Sequence, residues 1–252
     1  PLVMTSGNLS EEPIAKDNEE AFSRLHGIAD AFLVNDRDIY VQYDDSVTAV
    51  VNDQPTILRR ARGYAPFPIR LPFPTRPILA CGGELKNTFC LTRDDHAFLS
   101  QHIGDMENDE SLRFFEETLA NLKAVYRVSP VALGHDLHPG YASTRWALRQ
   151  ADITAVPVQH HHAHVASVMA CRGIEGPVIA AVFDGTGLGD DGNLWGGEFF
   201  AGGMEGFTRH FHLHYLPLIG GETAVRQPWR TAVSLVRQAA GKALGDGDVK
   251  VK

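Results

Sequence analysis

The stretch "VALGHDLHPGYASTRWALRQADITAVPVQHHHAHVASVMACRGIEGPVIAAVF", residues 131–183, decides the fold class. Short apolar runs at 131–134, 153–158 and 177–183 alternate with amphipathic stretches at 142–151 and 160–172. Strands alternating with helices predict an α/β domain with a largely parallel core. Upstream, Leu112, Phe115, Leu119, Leu122 and Tyr126 recur every three or four residues, so 110–127 reads as a helix with one buried face. "PILACGGELKNTFCLT", 77–92, reads as strand, glycine turn, strand. Downstream the alternation stops. "GTGLGDDGN", 185–193, leads into two strand-like stretches, "LWGGEFFAGG" and "FTRHFHLHYL", and a helix follows at about 222–240.

The front of the chain is different in kind. "TSGNLSEEPI" is turn chemistry. Asp17 reads as a helix N-cap with Glu20 three residues on, a capping box. Phe22, Leu25, Ile28, Ala29 and Phe32 extend the predicted helix over 18–33. Residues 38–59 read as short strands. "RRARGYAPFPIRLPFPTRP", 59–77, holds five prolines and five arginines and reads as a linker or extended arm. The expected divisions are 1–70, a linker at 71–77, and 78–252. Pro1 to Met4 reads as a strand already under way, and "GDGDVKVK" stops within an element, as expected of a stretch of a longer chain.

Bulk composition narrows the function. The formal net charge is -8, which argues against nucleic acid as the partner. No apolar run approaches the roughly 20 residues that cross a bilayer, so no membrane role is expected. Cys81, Cys90 and Cys171 form no CxxC pair, which points to buried thiols in a reducing cytoplasm.

Four histidines crowd "VQHHHAHVAS", 158–167. On a helix, His160 and His164 share one face, the arrangement in which two imidazoles chelate one metal; His161 and His162 point elsewhere. Asp184, at the end of the next strand, is the candidate oxygen ligand. The alternative is a polar helix start with solvated histidines. Gly185, Gly187 and Gly189 match neither a Rossmann nor a P-loop signature, but a glycine hairpin after an Asp-ended strand suits nucleotide phosphates as well as a plain turn. "CGGELKNT", 81–88, adds a second such turn, with Lys86 and Asn87 beside it. "HDLHPGY", 135–141, puts His135, Asp136 and His138 at a strand end, where ligands often lie. His210, His212 and His214 share the period of a strand and read as one solvated face. Ser6, Asn8, Arg59, Arg60 and Arg62 can form an anion pocket; a surface linker and an RNA patch are the other readings.

Taken in order, "MTSGNLSEEPI", "DDSV", "RRARGYAPFP", "CGGELKNTFCL", "QHIGDMEN", "HDLHPGY", "VQHHHAHVAS", "FDGTGLGDDGNLWGGEF" and "GGETAVRQPWR" resemble the HypF family of carbamoyltransferases that mature [NiFe] hydrogenases. The resemblance spans nearly the whole chain. It implies an α/β chain: the end of a YrdC-like domain over 1–70, then the first part of an actin-like (ASKHA, ribonuclease H-like) lobe over 78–252. It implies a carbamoyl adenylate made from ATP and carbamoyl phosphate, with Mg accompanying ATP. The carbamoyl group then passes to the C-terminal cysteine of a HypE-type acceptor protein for cyanide ligand synthesis. By motif, Ser6, Asn8, Arg60 and Arg62 would serve adenylate formation. Lys86, Asn87, Gly185, Thr186 and Gly187 would line the nucleotide, and Gly220 and Gly221 would approach its sugar. His160, His164 and Asp184 would hold a divalent metal, Fe or Zn. A mixed anhydride attacked by a thiolate needs no enzyme nucleophile, so neither a Ser/His/Asp triad nor a covalent cysteine intermediate is expected. The family's remaining domains are not in this stretch, which is therefore not expected to turn over alone. Competing readings are an O-carbamoyltransferase acting on a small metabolite, a sugar or acetate kinase on the same fold, and a nucleotide- or RNA-binding module.

Overall fold

The α/β alternation read from 131–158 builds one side of the central sheet. The structure, a computed structural model, describes residues 2, 4–10, 12–221 and 223–244, with side chains through 240. The expected strand at 1–4 lies partly outside these residues, as do Glu222 and the 245–252 tail. Residues up to 176 form one compact unit and those from 177 a second.

In the first unit, α1 (Asn18–Leu25) starts at the Asp17 cap, whose side chain accepts the Glu20 N–H at 2.8 Å. Glu20 reaches back to the Lys16 N–H at 3.0 Å, one residue further than a reciprocal capping box requires. The helix ends near Gly27 rather than at 33, and none of its residues is buried. Glycine inside a helix costs about 1 kcal/mol relative to alanine. The apolar residues beyond it fold back as a loop, where Phe32 meets Phe22 edge-on at 5.2 Å. Of the strands expected over 38–59, the latter part forms a hairpin of β1 (Val47–Val51) and β2 (Gln54–Arg59). Its turn residues, Asn52 and Asp53, take positive φ of 51° and 60°, as a two-residue hairpin turn demands.

The Pro/Arg-rich stretch is not a free linker. Ile69–Thr75 is β3, the edge of a five-stranded sheet ordered β3-β5-β4-β6-β7. Proline is tolerated there because an edge strand need not donate on its outer side. Ile69 pairs with Ala97 and Arg70 with His96; the register then breaks before Thr75 pairs with Asp94. β4 (Ile78–Ala80) lies antiparallel to β5 (Cys90–Leu99) and parallel to β6 (Ala132–Asp136), which is parallel to β7 (Thr154–Val158). The paired parallel core is thus three strands; β5 alone runs against it, and β3, antiparallel to β5, points the same way as the core.

The core is built from α2 (Asp109–Tyr126) and these strands. Phe114, Phe115, Thr118, Leu119 and Leu122 face inward, joining Leu79, Leu91, Phe98 and Leu133. Phe115 meets Phe89 and Trp146 edge-on at 5.1 and 5.0 Å. α3 (Ala142–Leu148) and α4 (His160–Arg172) follow β6 and β7; Gly173, at φ 63°, stops α4 in a left-handed cap.

β8 (Val178–Leu188) does not extend the parallel sheet. It opens an antiparallel meander ordered β10-β9-β8, with β9 (Leu194–Gly203) and β10 (Gly206–His212). The helix α4 before β8 is the crossover a parallel pair would need, but β8 pairs instead with the antiparallel strand that follows it through a short turn. The single helix expected at 222–240 is two: α5 (Thr223–Arg226) and α6 (Pro228–Leu244). Pro228 has no N–H to continue α5 and takes the first position of α6, where none is needed.

Candidate metal and nucleotide-binding residues

The histidine cluster is sorted by the start of α4. Gln159 caps the helix, its side chain accepting the His162 N–H at 3.0 Å. His161, Val165 and Met169, four residues apart, form the buried face, and His161 is fully buried. His160 and His164 are thereby turned to another face, where their Nε2 atoms approach to 3.2 Å. The sheet register pairs Asp136 with Val158, next to the cap. From there Asp136 Oδ2 accepts the His160 Nδ1–H at 2.6 Å, while its Oδ1 accepts the His138 N–H at 2.8 Å. Burial pushes the Asp136 carboxyl up, but these two hydrogen bonds outweigh it and leave it below the ordinary range. Two imidazole nitrogens facing one another, with the far nitrogen of one ring held by a carboxylate, form a donor set that suits a divalent transition metal. His135 donates from its ring to the Asp136 carbonyl at 2.7 Å, and His138 stacks on Tyr141 at 4.3 Å, so both have local structural roles.

A second group of predicted residues lines a cleft of 880 Å³ in the same unit. Ser6, Asn8, Arg60 and Lys86 are there, with Arg59, His102 and Asp105, which the motif assignment leaves out. Arg62 is elsewhere: exposed, 3.4 Å from Asp45. Arg59 lies 3.6 Å from Asp44. Carboxylates beside both arginines weaken the RNA-patch reading. Ser6 donates to Asn8 at 2.5 Å, and the Asn8 amide donates to the carbonyls of Leu9 and Glu12, fixing the "TSGN" turn. Asn87 is buried, its amide donating to the carbonyls of Cys81 and Gly83 at 2.9 and 2.6 Å, so both donors hold the glycine turn. Gly82, at φ 72°, leaves no room for a Cβ, which would lie 2.2 Å from the Thr88 carbonyl oxygen.

The "QHIGDM" loop joins these parts. The His102 N–H donates to Arg60 at 3.1 Å, Ile103 and Gly104 exchange backbone bonds with Asn87, and Asp105 accepts the Lys86 N–H at 2.6 Å. Burial holds the His102 imidazole below its ordinary range, against the pull of Asp44.

In the second unit, Gly185–Gly187 are not the hairpin tip. The β8–β9 register passes from Phe183↔Gly197 to Gly187↔Trp195, so residues 184–186 oppose Gly196 alone. This bulge frees strand backbone for other partners. A Cβ at Gly196 would sit 2.8 Å from the Asp184 carbonyl oxygen. Asp184 Oδ1 accepts the Gly185 N–H at 2.6 Å. The turn itself is 189–193, where the Asp191 side chain accepts the Asn193 N–H at 3.0 Å. Gly220 and Gly221, at φ 87° and 60°, form the turn before α5. His210, His212 and His214 are exposed, but a register shift at His210 breaks their common face.

A network in this unit had no signal in the sequence. Glu198, buried, accepts Arg209 Nε–H at 2.6 Å and the N–H groups of Gly196 and Gly197 at 3.1 and 3.2 Å. Arg209 stacks over Trp195 at 4.1 Å and donates to Tyr215 at 2.7 Å; Tyr215 and Trp195 both donate to Asp191 at 2.8 Å. The network ties the 189–193 turn to β9 and β10.

Comparison with known proteins agrees with this arrangement. The HypF Kae1-like domain model matches residues 74–170, and the model for the carbamoyltransferase Kae1-like domain, second subdomain, matches 180–250. A Sua5/YciO/YrdC model, described as telomere recombination, matches 1–61. Carbamoyltransferase HypF2 of Cupriavidus necator is 47% identical over 98% of this chain and 31% of its own length. Carbamoyltransferase HypF of Synechocystis is 45% identical over 94% and 31%. A crystal structure of full-length HypF in the phosphate- and nucleotide-bound form superposes with a TM-score of 0.89 at 46% identity, covering 96% of this chain and 38% of that one. Fold and matches define a mixed α/β chain, a YrdC-like segment followed by Kae1-like subdomains. The chain belongs to the HypF family. It spans about a third of the length of these relatives. Among the described residues, no helix is long and apolar enough to cross a membrane.

Proposed function

We propose that the chain is the central part of a cytoplasmic carbamoyltransferase of [NiFe] hydrogenase maturation. In this reading ATP and carbamoyl phosphate yield a carbamoyl adenylate, and the carbamoyl group passes to the C-terminal cysteine of a HypE-type acceptor. The observation that carries it is the 45–47% identity to named carbamoyltransferases along almost the whole chain. The cleft adds support, because it gathers Ser6, Asn8, Arg60 and Lys86 from three separate parts of the sequence. Arg59 takes the place first given to Arg62 as the second guanidinium for phosphate. Residues 1–70 supply the adenylate-forming side, and 78–252 the transfer side.

On the transfer side of this reading, His160, His164 and Asp184 would hold a divalent metal, Fe or Zn. When bound, such an ion supplies Lewis-acid stabilisation of oxyanion charge. The chain's own part is to orient the ligands, through Asp136, and to offer backbone N–H groups at Gly185–Gly187 and a cation at Lys86 to the nucleotide. Cys81 and Cys90 are not nucleophiles in this scheme: burial pushes both thiols up to about 12.

The test uses the full protein that carries this chain. Release of AMP and PPi from ATP should depend on carbamoyl phosphate, and Arg60→Ala should abolish it. His160→Ala should leave PPi release, which accompanies adenylate formation, in place while stopping AMP release by transfer and carbamoylation of the acceptor cysteine, read by mass. Carbamoylation that survives both changes overturns the assignment.

A further inference from the structure

We propose that Asp136 is the positioning residue of the metal centre, setting the tautomer and ring orientation of His160. This deepens the proposed function and rests on its reading of His160 and His164 as ligands. The argument starts from the sheet. β6 and β7 are parallel and in register from Ala132↔Thr154 to Asp136↔Val158, so Asp136 closes β6 level with the residue before the α4 cap. Asp136 is nine-tenths buried. Its carboxylate is divided: Oδ1 is occupied by the His138 N–H at 2.8 Å and Oδ2 by the His160 ring at 2.6 Å.

The division has a chemical consequence. A carboxylate only accepts, so the His160 nitrogen facing Oδ2, Nδ1, carries the proton. A ring that ligates a metal is neutral, and with the proton on Nδ1 its lone pair is on Nε2, the atom 3.2 Å from His164 Nε2. Asp136 thus aims a lone pair at the point where the two rings converge. The "HDLHPGY" turn holds the carboxylate in place: the His135 ring donates to the Asp136 carbonyl at 2.7 Å, and Thr144 donates to it at 3.1 Å. The residue that this motif contributes is therefore its aspartate, while its two histidines support the turn.

The test is Zn2+ alone, titrated against a competing chelator into the full-length protein. Removing the hydrogen-bond partner of a metal-bound histidine weakens affinity by roughly 10–100-fold. Asp136→Ala should show that loss, and Asp136→Asn a smaller one, since it keeps one acceptor oxygen. Asp95→Asn, at a half-buried site on β5 where the carboxylate pairs with Arg70 and His96, should show none. Metal-free long-range 1H–15N spectra supply the second readout. They should place the His160 proton on Nδ1 in the parent and shift it toward Nε2 in Asp136→Ala, which a merely structural role would not do. If Asp136→Ala does not fold, Asp136→Asn carries both measurements. A parent protein that takes up no Zn2+ overturns the metal reading and this inference with it. A parent that binds, beside variants of unchanged affinity and tautomer, overturns this inference alone.

Discussion

Replacing Glu198 with glutamine should cost about 2–3 kcal/mol of stability. The carboxylate is buried and receives three N–H donors: Gly196 and Gly197 on one oxygen, Arg209 on the other. Glutamine keeps the shape and one acceptor oxygen. Its amide must then face either the two backbone donors or the guanidinium, setting donor against donor. One charge-assisted hydrogen bond is worth about 1.5–3 kcal/mol, and breaking a buried ion pair costs about 3–5 kcal/mol. Arg209 retains Asp191 at 3.2 Å, which places the loss at the lower end. Arg209→Met should cost more, about 3–5 kcal/mol, because it strands Glu198 as a buried unpaired charge. Urea unfolding followed through Trp195, whose ring stacks under Arg209, reads both changes. Hydrogen exchange across β8–β10 should localise the loss to the second unit. A cost below about 0.5 kcal/mol for Glu198→Gln, or the reverse ranking of the two variants, refutes the reasoning.

Thiol labelling should mark one cysteine per folded chain: Cys171 is exposed, whereas burial pushes Cys81 and Cys90 up to about 12, and all three should react in denaturant. Gly189→Ala should destabilise the hairpin, since its Cβ would fall 2.0 Å from Trp195 Nε1; the loss should be at least the 1–3 kcal/mol of ordinary overpacking, measured by thermal melts. Asp191→Asn should lower stability near neutral pH. Burial raises the Asp191 carboxyl, but hydrogen bonds from Tyr215, Asn193 and Trp195 outweigh it and hold it well below its unfolded value. Its contribution is therefore full above about pH 4 and lost as pH falls through the lower folded value, so parent and variant should converge in melts toward about pH 2.

Periodicity made α2 and α4 legible, because an apolar residue every three or four positions records which face is buried. Elements that depend on a distant partner were not. The spacing of Phe22, Leu25 and Phe32 marks an apolar face without saying what covers it, and no residue of α1 is buried. Residues 177–183, preceded by the helix α4, look like a next parallel strand, yet β8 pairs with β9 in a separate antiparallel sheet, a choice of partner that local pattern does not record. The site divides the same way. Spacing of four was enough to pair His160 with His164. The role of Asp136 needed the β6–β7 register, and the exchange of Arg62 for Arg59 in the cleft needed the path of the hairpin. The Glu198–Arg209 pair joins two strands through a register shift that no local pattern encodes.

Both edges of the five-stranded sheet carry proline: Pro72 and Pro74 in β3, Pro157 in β7. An open sheet edge is a template for aggregation, offering its unpaired N–H and C=O groups to any passing strand. Proline withdraws donors from that row. The composition that resembled a linker thus doubles as protection against self-association. Restoring donors at 72 and 74, by exchange for valine, would give the sheet a sticky rim and the chain a route to fibrils.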